Sequence, residues 1–214
     1  MNPKLPKLVI GNRNYSSWSL RAWLALRHSG FVFDCHLLPL KTPLFKDEVH
    51  RYSPSARVPS LIVDDYIIWD SLAIAEYAAE VTSLGWPRDV RARAVARSVC
   101  AEMHSSFQTM RACWPMDIRA IYQDDRQLDQ VLPDLTRVTD IWTHCRSQFG
   151  GAGPWLFGEY SVADAFFAPV VCRLHTYARP FKSSLISEYC STTLADPHLQ
   201  EWTTLAFAEV ESLS

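Results

Sequence analysis

The sequence lacks the patterns that mark several classes of protein. No apolar run approaches the length of a membrane span, and residues 1–7 hold prolines and lysines instead of the apolar core of a signal peptide. The formal net charge is only -2, so the molecule as a whole has no field that would attract nucleic acid or an anionic membrane. We therefore expect a cytoplasmic protein that acts on small molecules, without a nucleic-acid or membrane partner.

Metal and disulfide patterns are missing as well. The six cysteines include no Cys-x-x-Cys pair, and the seven histidines show no His-x-x-x-His spacing. Most cysteines lie inside apolar periodic segments, which predicts reduced core residues and no metal site. With 214 residues, of which 48% are hydrophobic, the chain can bury one large core or two modest ones.

The first third of the chain has the pattern of a βαβ unit. Residues 8–10 form a short apolar strand, residues 20–26 have an amphipathic helical period, and residues 31–38 mostly alternate as a strand does. Two strands joined by a helix are expected to be parallel. The proline-containing segment 39–55 is predicted to cross over as irregular helix and loop.

Four hydroxyls lie where the first helix is predicted to begin: Tyr15, Ser16, Ser17 and Ser19. Ser16 or Ser17 can cap the helix by accepting a hydrogen bond from a backbone N–H group. A hydroxyl beside the positive end of a helix can also donate a hydrogen bond to an anion such as a thiolate. The segment alone leaves both interpretations open.

A β-hairpin and a third helix are predicted next. Residues 56–63 and 66–69 are apolar runs around the acidic turn Asp64-Asp65, and Pro59 lies where a strand tolerates proline. A cis bond before Pro59 would free the Val58 backbone to pair with a peptide-like ligand. Asp70 and Ser71 open an alanine-rich helix, where they can serve as caps or hold an amino-acid-like group.

These elements, in this order, resemble the thioredoxin-like domain of the cytosolic glutathione transferases. Residues 16–26, SSWSLRAWLAL, are similar to the segment SSCSWRVRIAL of the zeta class, which includes maleylacetoacetate isomerases. The zeta match places Ser16 on the serine that activates glutathione and Trp18 on a cysteine. The serine spacing of theta-like and delta-like members implies Ser17 instead, and Tyr15 is a third hydroxyl within reach.

The resemblance implies a glutathione site and a reaction. Val58 would pair its backbone with the cysteinyl part, Asp70 and Ser71 would hold the γ-glutamyl group, and Arg57 and Lys41 are candidates for the glycine carboxylate. Glutathione would act as a thiolate in conjugation to small electrophiles or in their cis-trans isomerisation. A zeta arginine that holds a dicarboxylate substrate is matched here by Thr176, with Arg173 and Arg179 nearby but offset.

The remaining chain is predicted to be helical after a linker at residues 81–89. One helix extends to Ala112 with a stripe of large apolar residues, and a second spans about 126–149, where Pro133 either kinks the helix or marks its start. Ser161 and Asp164 form a capping-box pattern that is similar to a box found in most glutathione transferases. A buried helix and a last helix follow.

We therefore predict an α/β plus all-α protein. Residues 1–82 would form a thioredoxin-like βαβ-ββα domain that binds glutathione, and residues 90–214 a helical bundle that contributes the acceptor pocket of a homodimer. The alternative is a non-enzymatic carrier or protein-interaction module with the same fold. A thiol-disulfide oxidoreductase is disfavoured because no cysteine lies in the turn at residues 14–19.

Overall fold

A computed structural model describes residues 5–123, 127–179 and 183–210. Its amino-terminal part alternates strands and helices: β1 Lys7–Ile10, α1 Ser17–His28, β2 Asp34–Leu37, α2 Pro43–Tyr52, β3 Ser60–Val63, β4 Tyr66–Trp69 and α3 Ser71–Thr82. The part that follows is helical: α4 Val90–Ser105, α5 Gln108–Cys113, α6 Leu128–Phe149, α7 Val162–Thr176, α8 Ser184–Leu194 and α9 Pro197–Ala208.

The four strands form one mixed sheet in the order β2-β1-β3-β4. β1 pairs with β2 in parallel, whereas β3 is antiparallel to both β1 and β4. The turn between β3 and β4 is closed by the pair Val63 and Tyr66, so the hairpin has its two-residue loop at Asp64-Asp65. The predicted βαβ and ββα units, and the thioredoxin-like fold that they build, are therefore confirmed.

Two segments of the amino-terminal part differ from their predictions. The segment predicted to be irregular contains the regular helix α2, because Thr42 caps it by accepting a 3.1 Å hydrogen bond from the Phe45 N–H group and Pro43 fits its first turn. The strand predicted over residues 31–38 is formed only at β2. Because β2 is an edge strand, Cys35 is exposed and is not the core residue that we predicted.

The helix predicted to run to Ala112 is broken. It ends at Ser105 and resumes at Gln108, because Phe107 takes a left-handed backbone conformation with φ of 64°. The predicted apolar stripe is nevertheless buried on both sides of the break, with at most 5% exposure at Met103, Phe107, Met110 and Trp114. The stripe is therefore core.

The next helix, α6, begins at Leu128 and contains Pro133 five residues later. Pro133 therefore does not mark its start, and the predicted beginning at residue 126 lies outside the described residues. Pro133 lies inside the helix, where it removes the hydrogen bond that a backbone N–H group would donate to the Asp129 carbonyl. The end of the helix at Phe149 agrees with the sequence prediction.

The central helix α7 is buried over nearly all of its length and is held at its start by the predicted capping box. Both the backbone N–H and the hydroxyl of Ser161 donate to Asp164 Oδ2, at 2.8 and 3.0 Å, and the Leu156 N–H donates to Oδ1 at 3.1 Å. Burial raises the pKa of the Asp164 carboxyl to about 6, against the effect of these hydrogen bonds.

The raised pKa of Asp164 predicts how stability depends on pH. The native state binds this proton more tightly than the unfolded chain, in which an aspartate has a pKa of about 3.9. Protonation of Asp164 therefore stabilises the fold, and this stabilisation is fully present below about pH 3.9. It is lost as the pH rises through about 6. Relative to Asp164→Asn, the parent should lose about 2–3 kcal/mol of unfolding free energy between pH 4 and neutrality. Urea unfolding across this range measures it, and the exposed Asp140→Asn is a control for which no such trend is expected.

Residues 5–123, 127–179 and 183–210 contain neither a membrane-spanning helix nor a metal-binding cluster. Within these ranges no helix combines the length and the apolar character that crossing a membrane requires. No cluster of three or more histidine, cysteine, aspartate or glutamate side chains is arranged there to hold a metal ion.

Candidate functional site

A cleft lies where the start of α1, the loop before β3 and the start of α3 meet α4 and α5. It consists of two adjoining cavities of about 370 and 450 Å³, which share Trp18, Arg57 and Val58 as a common wall. Asp70 and Ser71 line the first cavity, and Ser16 and Ser17 line the second. The fold thus brings six of the seven predicted site residues to one cleft.

Ser16 is the N-cap of α1, and its hydroxyl is engaged in the interior of the protein. Its Oγ accepts a 3.3 Å hydrogen bond from the Ser19 N–H and donates at 2.7 Å to Ser19 Oγ. Ser19 Oγ also accepts from the Gly11 N–H at 3.1 Å. The Ser16 proton therefore supports the turn between β1 and α1, which is the capping role that the sequence allowed.

Ser17 is the first residue of α1 and has a different environment. It is 6% exposed, lines the larger cavity, and its hydroxyl has no hydrogen-bond partner among the described residues. It lies beside the amino-terminal end of α1, where backbone N–H groups give a positive potential. The Tyr15 hydroxyl, by contrast, accepts a 3.4 Å bond from Arg119 Nη2. Of the three candidate hydroxyls, Ser17 is the one best placed to donate to an anion in the cleft.

Asp70 and Ser71 close the other end of the cleft. Asp70 has φ of 81°, and its Oδ1 caps α3 by accepting a 2.7 Å bond from the Leu72 N–H. Its Oδ2 lies 3.2 Å from His104 Nε2 on α4. Ser71 is fully buried, and its Oγ has no partner within the described part of the chain. A carboxylate beside an unpartnered hydroxyl is suited to binding an amino-acid group.

The remaining three predicted residues differ in placement. The Val58–Pro59 peptide bond is cis, and both residues line the cleft. Arg57 lines both cavities and is exposed, so its guanidinium is available to an incoming anion. Lys41 is exposed and follows Leu40, which lines the larger cavity, but Lys41 itself does not line either cavity.

Sequence reasoning missed three residues that shape the cleft. Trp18 forms its shared wall, and His104 packs edge-on against Trp18 with a ring-centroid distance of 5.0 Å. Arg111 lines the larger cavity, and its guanidinium lies 5.0 Å from the centroid of the Trp18 ring. The placements of His104 and Arg111 depend on contacts with a distant segment, and no local sequence signal could have found them.

Three arginines converge on this part of the cleft. Arg21 is fully buried between the rings of Trp18 and Phe166, at 4.5 and 5.1 Å, and its guanidinium makes no hydrogen bond within the described chain. Burial, followed by the charges of Arg111 and Arg173, lowers the pKa of Arg21 well below its usual value. Burial likewise lowers the pKa of Arg173 to about 10. Such a group of cations favours an anion in the adjoining cavity.

The three candidates near the end of α7 are separated by the fold. Arg173 lines the larger cavity of the cleft and is fixed by bonds from Nε to the Trp114 carbonyl at 2.7 Å and from Nη1 to the Pro169 carbonyl at 3.0 Å. Thr176 points elsewhere and donates to the Asp117 carbonyl at 2.8 Å. Arg179 lines a different cavity, between α7 and α8. Arg173 is therefore the one of these three that reaches the cleft.

The chain is similar to known proteins over both of its parts. Residues 15–81 match a family model described as the glutathione S-transferase amino-terminal domain. A probable maleylacetoacetate isomerase of Caenorhabditis elegans is 32% identical over 114 residues, which cover 51% of each chain. The maleylacetoacetate isomerase of Rattus norvegicus is 29% identical over 177 residues, which cover 80% of this chain and 79% of the rat protein. The chain thus spans about half the length of the nematode relative and more of the rat one.

Solved structures extend this similarity over nearly the whole chain. A glutathione transferase homologue from Burkholderia, crystallised with bound glutathione, superposes with a TM-score of 0.70 at 25% identity. The superposition covers 96% of this chain and 99% of the Burkholderia chain. A glutathione S-transferase from the clam Laternula elliptica has the same fold, with a TM-score of 0.72 at 20% identity over 98% of this chain and 96% of the clam chain.

Proposed function

We propose that this chain, which is similar to glutathione S-transferases and to maleylacetoacetate isomerases, belongs to the glutathione S-transferase family, binds glutathione in the cleft and activates the thiol for reaction with small electrophiles. One observation carries the proposal. The Ser17 hydroxyl, at the positive end of α1, shares the cleft with the carboxylate of Asp70 and the hydroxyl of Ser71, and neither hydroxyl has a partner among the described residues. A γ-glutamyl thiol requires a hydrogen-bond donor for its thiolate and a site that binds its amino-acid group.

Binding would orient glutathione along the cleft. Asp70 takes the γ-glutamyl ammonium, Ser71 donates to its carboxylate, and the Val58 backbone pairs with the cysteinyl part. Arg57 binds the glycine carboxylate, with Lys41 as the second candidate because it lies in the turn just beyond the cavity wall. This arrangement directs the sulfur towards the start of α1, where Ser17 donates to it.

The chemistry that follows needs no protein nucleophile. The thiol releases its proton to solvent, and the thiolate is stabilised by the Ser17 hydroxyl, by the positive end of α1 and by the cations Arg21, Arg111 and Arg173. In conjugation, the sulfur forms a bond to an electrophilic carbon. In a substitution, the bond from this carbon to the leaving group breaks and its electron pair departs with that group. In an addition, the displaced π electron pair takes up a proton. In isomerisation, sulfur adds to a cis-enone, the carbon–carbon bond rotates, and the thiolate departs.

We also propose how the protein is organised. Residues 1–82 form the glutathione-binding domain and residues 90–214 supply the acceptor pocket. Val81, Leu84 and Val90 are exposed, between 52% and 68% accessible, and we propose that a homodimer covers them. A cytoplasmic location fits six cysteines that form no disulfide.

The first experiment is retention on glutathione-agarose, followed by a screen of electrophiles and of cis-enones. Retention with turnover supports the proposed enzyme. Retention without turnover on any substrate would favour the non-enzymatic carrier, and failure to bind glutathione would refute the site itself. Calorimetry with glutathione and with S-methylglutathione separates binding of the peptide from binding of the thiolate.

A second candidate function is isomerisation of cis-enones that carry a carboxylate. The observation that favours it is the pair Arg111 and Arg173 on the wall of the larger cavity. Arg111 Nε donates to the Ser106 carbonyl at 3.1 Å and Nη2 donates to the Met103 carbonyl, while Nη1 has no partner within the described residues. A guanidinium with a free N–H group beside a second cation is suited to a carboxylate.

Charge at Arg111 should therefore control substrate preference. Arg111→Gln is expected to reduce kcat/KM for a carboxylated electrophile about tenfold relative to its neutral methyl ester, because a charge-assisted hydrogen bond is lost. Arg111→Lys keeps the charge and should retain part of the preference. The measured quantity is the ratio of the two kcat/KM values. A general loss of active protein lowers both values by the same factor and leaves the ratio unchanged.

The matched control for Arg111 is Arg137→Gln, which removes a surface arginine whose Nε lies 2.7 Å from Glu102 Oε1. The Arg137 variant should leave the ratio unchanged. An equal ratio in the parent and in Arg111→Gln would show that this arginine does not recognise substrate charge.

A further inference from the structure

We propose that Glu209, just beyond the end of α9, is a positioning residue for thiol activation, an inference that rests on the proposed function. The turn at residues 12–15 joins β1 to α1 and leads directly into Ser16 and Ser17. Glu209 is the C-cap residue of α9, and its side chain is 5% exposed. The far end of the chain therefore reaches the turn on which the proposed thiolate donor depends.

Glu209 is bonded to the turn through Arg13. Both carboxylate oxygens accept from the Arg13 backbone N–H, at 2.9 and 3.0 Å, and Oε1 also lies 3.2 Å from Arg13 Nη1. The carbonyl of Arg13 accepts a 3.0 Å bond from the indole N–H of Trp202 on α9. One residue of the turn is thus held on both sides of its backbone by the last helix and its cap.

A second set of bonds attaches the same turn to the loop after α5. Asn14 donates from Nδ2 to Asp117 Oδ1 at 2.8 Å, and Asn14 Oδ1 accepts from the Arg119 N–H at 2.9 Å. Arg119 also links this loop to Glu209 and to Tyr15. Its Nη1 donates to the Glu209 carbonyl at 2.8 Å, and its Nη2 donates to the Tyr15 hydroxyl. The turn is therefore fixed by two separate parts of the helical bundle.

Movement of the turn would be transmitted to the serines. The N–H groups of Tyr15 and Ser16 both donate to the Asn12 carbonyl, at 3.1 and 2.8 Å, so residues 12–16 form one hydrogen-bonded unit. An error of about 1 Å in the position of a reacting or donating group can cost about two orders of magnitude in rate. Glu209 thus acts through the position of Ser17, while the groups that anchor glutathione, Asp70 and Ser71, lie at the other end of the cleft.

The test compares Glu209→Gln with Glu201→Gln. Glu201 lies on α9 and pairs with Arg27, which is in the last turn of α1, away from the turn at residues 12–15. Loss of the carboxylate charge at Glu209 should lower kcat about fivefold and raise the pKa of the bound thiol, while glutathione affinity changes less than about twofold. Ultraviolet absorbance of the thiolate, titrated against pH in the glutathione complex, reads this pKa without any electrophile. Trp202→Phe, which removes the other bond to Arg13, should act in the same direction.

Hydrogen exchange in the ligand-free protein gives an independent readout. Amides of residues 13–17 should exchange faster in Glu209→Gln than in the parent or in Glu201→Gln, because the Arg13 N–H loses its carboxylate partner. If Glu209→Gln overlays the control in exchange and in thiol pKa, or if kcat and affinity fall together, Glu209 does not position the turn. A parent that fails to bind glutathione would instead overturn the proposed function, with the exchange result still reporting on the turn.

Discussion

Replacing Ser17 by alanine is expected to reduce kcat about ten- to hundredfold and to raise the pKa of glutathione bound to the protein. The free thiol has a pKa of about 8.5, so only a few per cent is thiolate near neutrality. A hydrogen bond to a charged group contributes about 1.5–3 kcal/mol, which corresponds to this range of rates. Ser17 lies at the start of α1, and its hydroxyl has no partner among the described residues, so it should supply this bond.

The effect of Ser17→Ala should be confined to the sulfur. Glutathione affinity measured by calorimetry should change little near neutrality, since the anchoring groups lie at Asp70, Ser71 and Arg57. A pH–rate profile under saturating glutathione should shift to higher pH with a similar limiting rate once the thiol is fully ionised. This pattern separates loss of thiolate stabilisation from loss of binding.

Ser16→Ala and Tyr15→Phe are the matched controls. Ser16→Ala removes an N-cap and should cost about 1 kcal/mol of unfolding free energy, with a smaller kinetic effect that arises from Ser19 and the turn. Tyr15→Phe should change the pH profile least, because its hydroxyl is bound by Arg119. A larger pKa shift in Ser16→Ala than in Ser17→Ala would restore the assignment that the zeta alignment favoured. Three profiles that overlay the parent would mean that no hydroxyl of this turn activates the thiol.

The sequence predicted the sheet and the order of the helices because these follow from short-range patterns. The alternation around Asp64-Asp65 identified the hairpin, and Ser161 and Asp164 identified the start of the buried helix. The break at Phe107 could not be predicted in this way, because its left-handed backbone conformation interrupts an apolar stripe that continues without a gap. The stripe stays buried on both sides, so hydrophobic period alone could not reveal the break.

The candidate site was predictable to a different extent at its two ends. Asp70 and Ser71 follow directly from a strand and open a helix, and such positions can be recognised from local sequence. His104 and Arg111 reach the cleft only because α4 and α5 pack beside α1 and Trp18. The choice between Ser16 and Ser17 depends on which of the two hydroxyls is bonded to Ser19, and the sequence does not specify these side-chain rotamers.

Replacing Asp70 by asparagine is expected to weaken glutathione binding about ten- to hundredfold, because a charge-assisted bond to the γ-glutamyl ammonium is worth about 1.5–3 kcal/mol. Asparagine is the informative substitution. It tolerates the positive φ of 81° at this position, and its side-chain oxygen can still cap α3 by accepting from the Leu72 N–H. The charge is removed, while the local structure is kept.

The kinetic signature of Asp70→Asn should be the reverse of that of Ser17→Ala. The dissociation constant from calorimetry and the KM for glutathione should rise together, whereas the pKa of the bound thiol should stay near that of the parent at saturating glutathione. Asp70→Ala should add a loss of stability of about 1 kcal/mol, because the cap on α3 is lost as well. Comparing the two variants separates the charge from the cap.

Asp89→Asn is the matched control for Asp70→Asn. Asp89 is also an N-cap aspartate, whose Oδ1 accepts a 2.8 Å bond from the Ala92 N–H at the start of α4, but it does not line either cavity of the cleft. Its substitution should leave glutathione affinity unchanged. Equal affinities for the parent, Asp70→Asn and Asp89→Asn would exclude Asp70 from the γ-glutamyl site. Its carboxylate would then serve the α3 cap and His104, whose Nε2 lies 3.2 Å from Asp70 Oδ2.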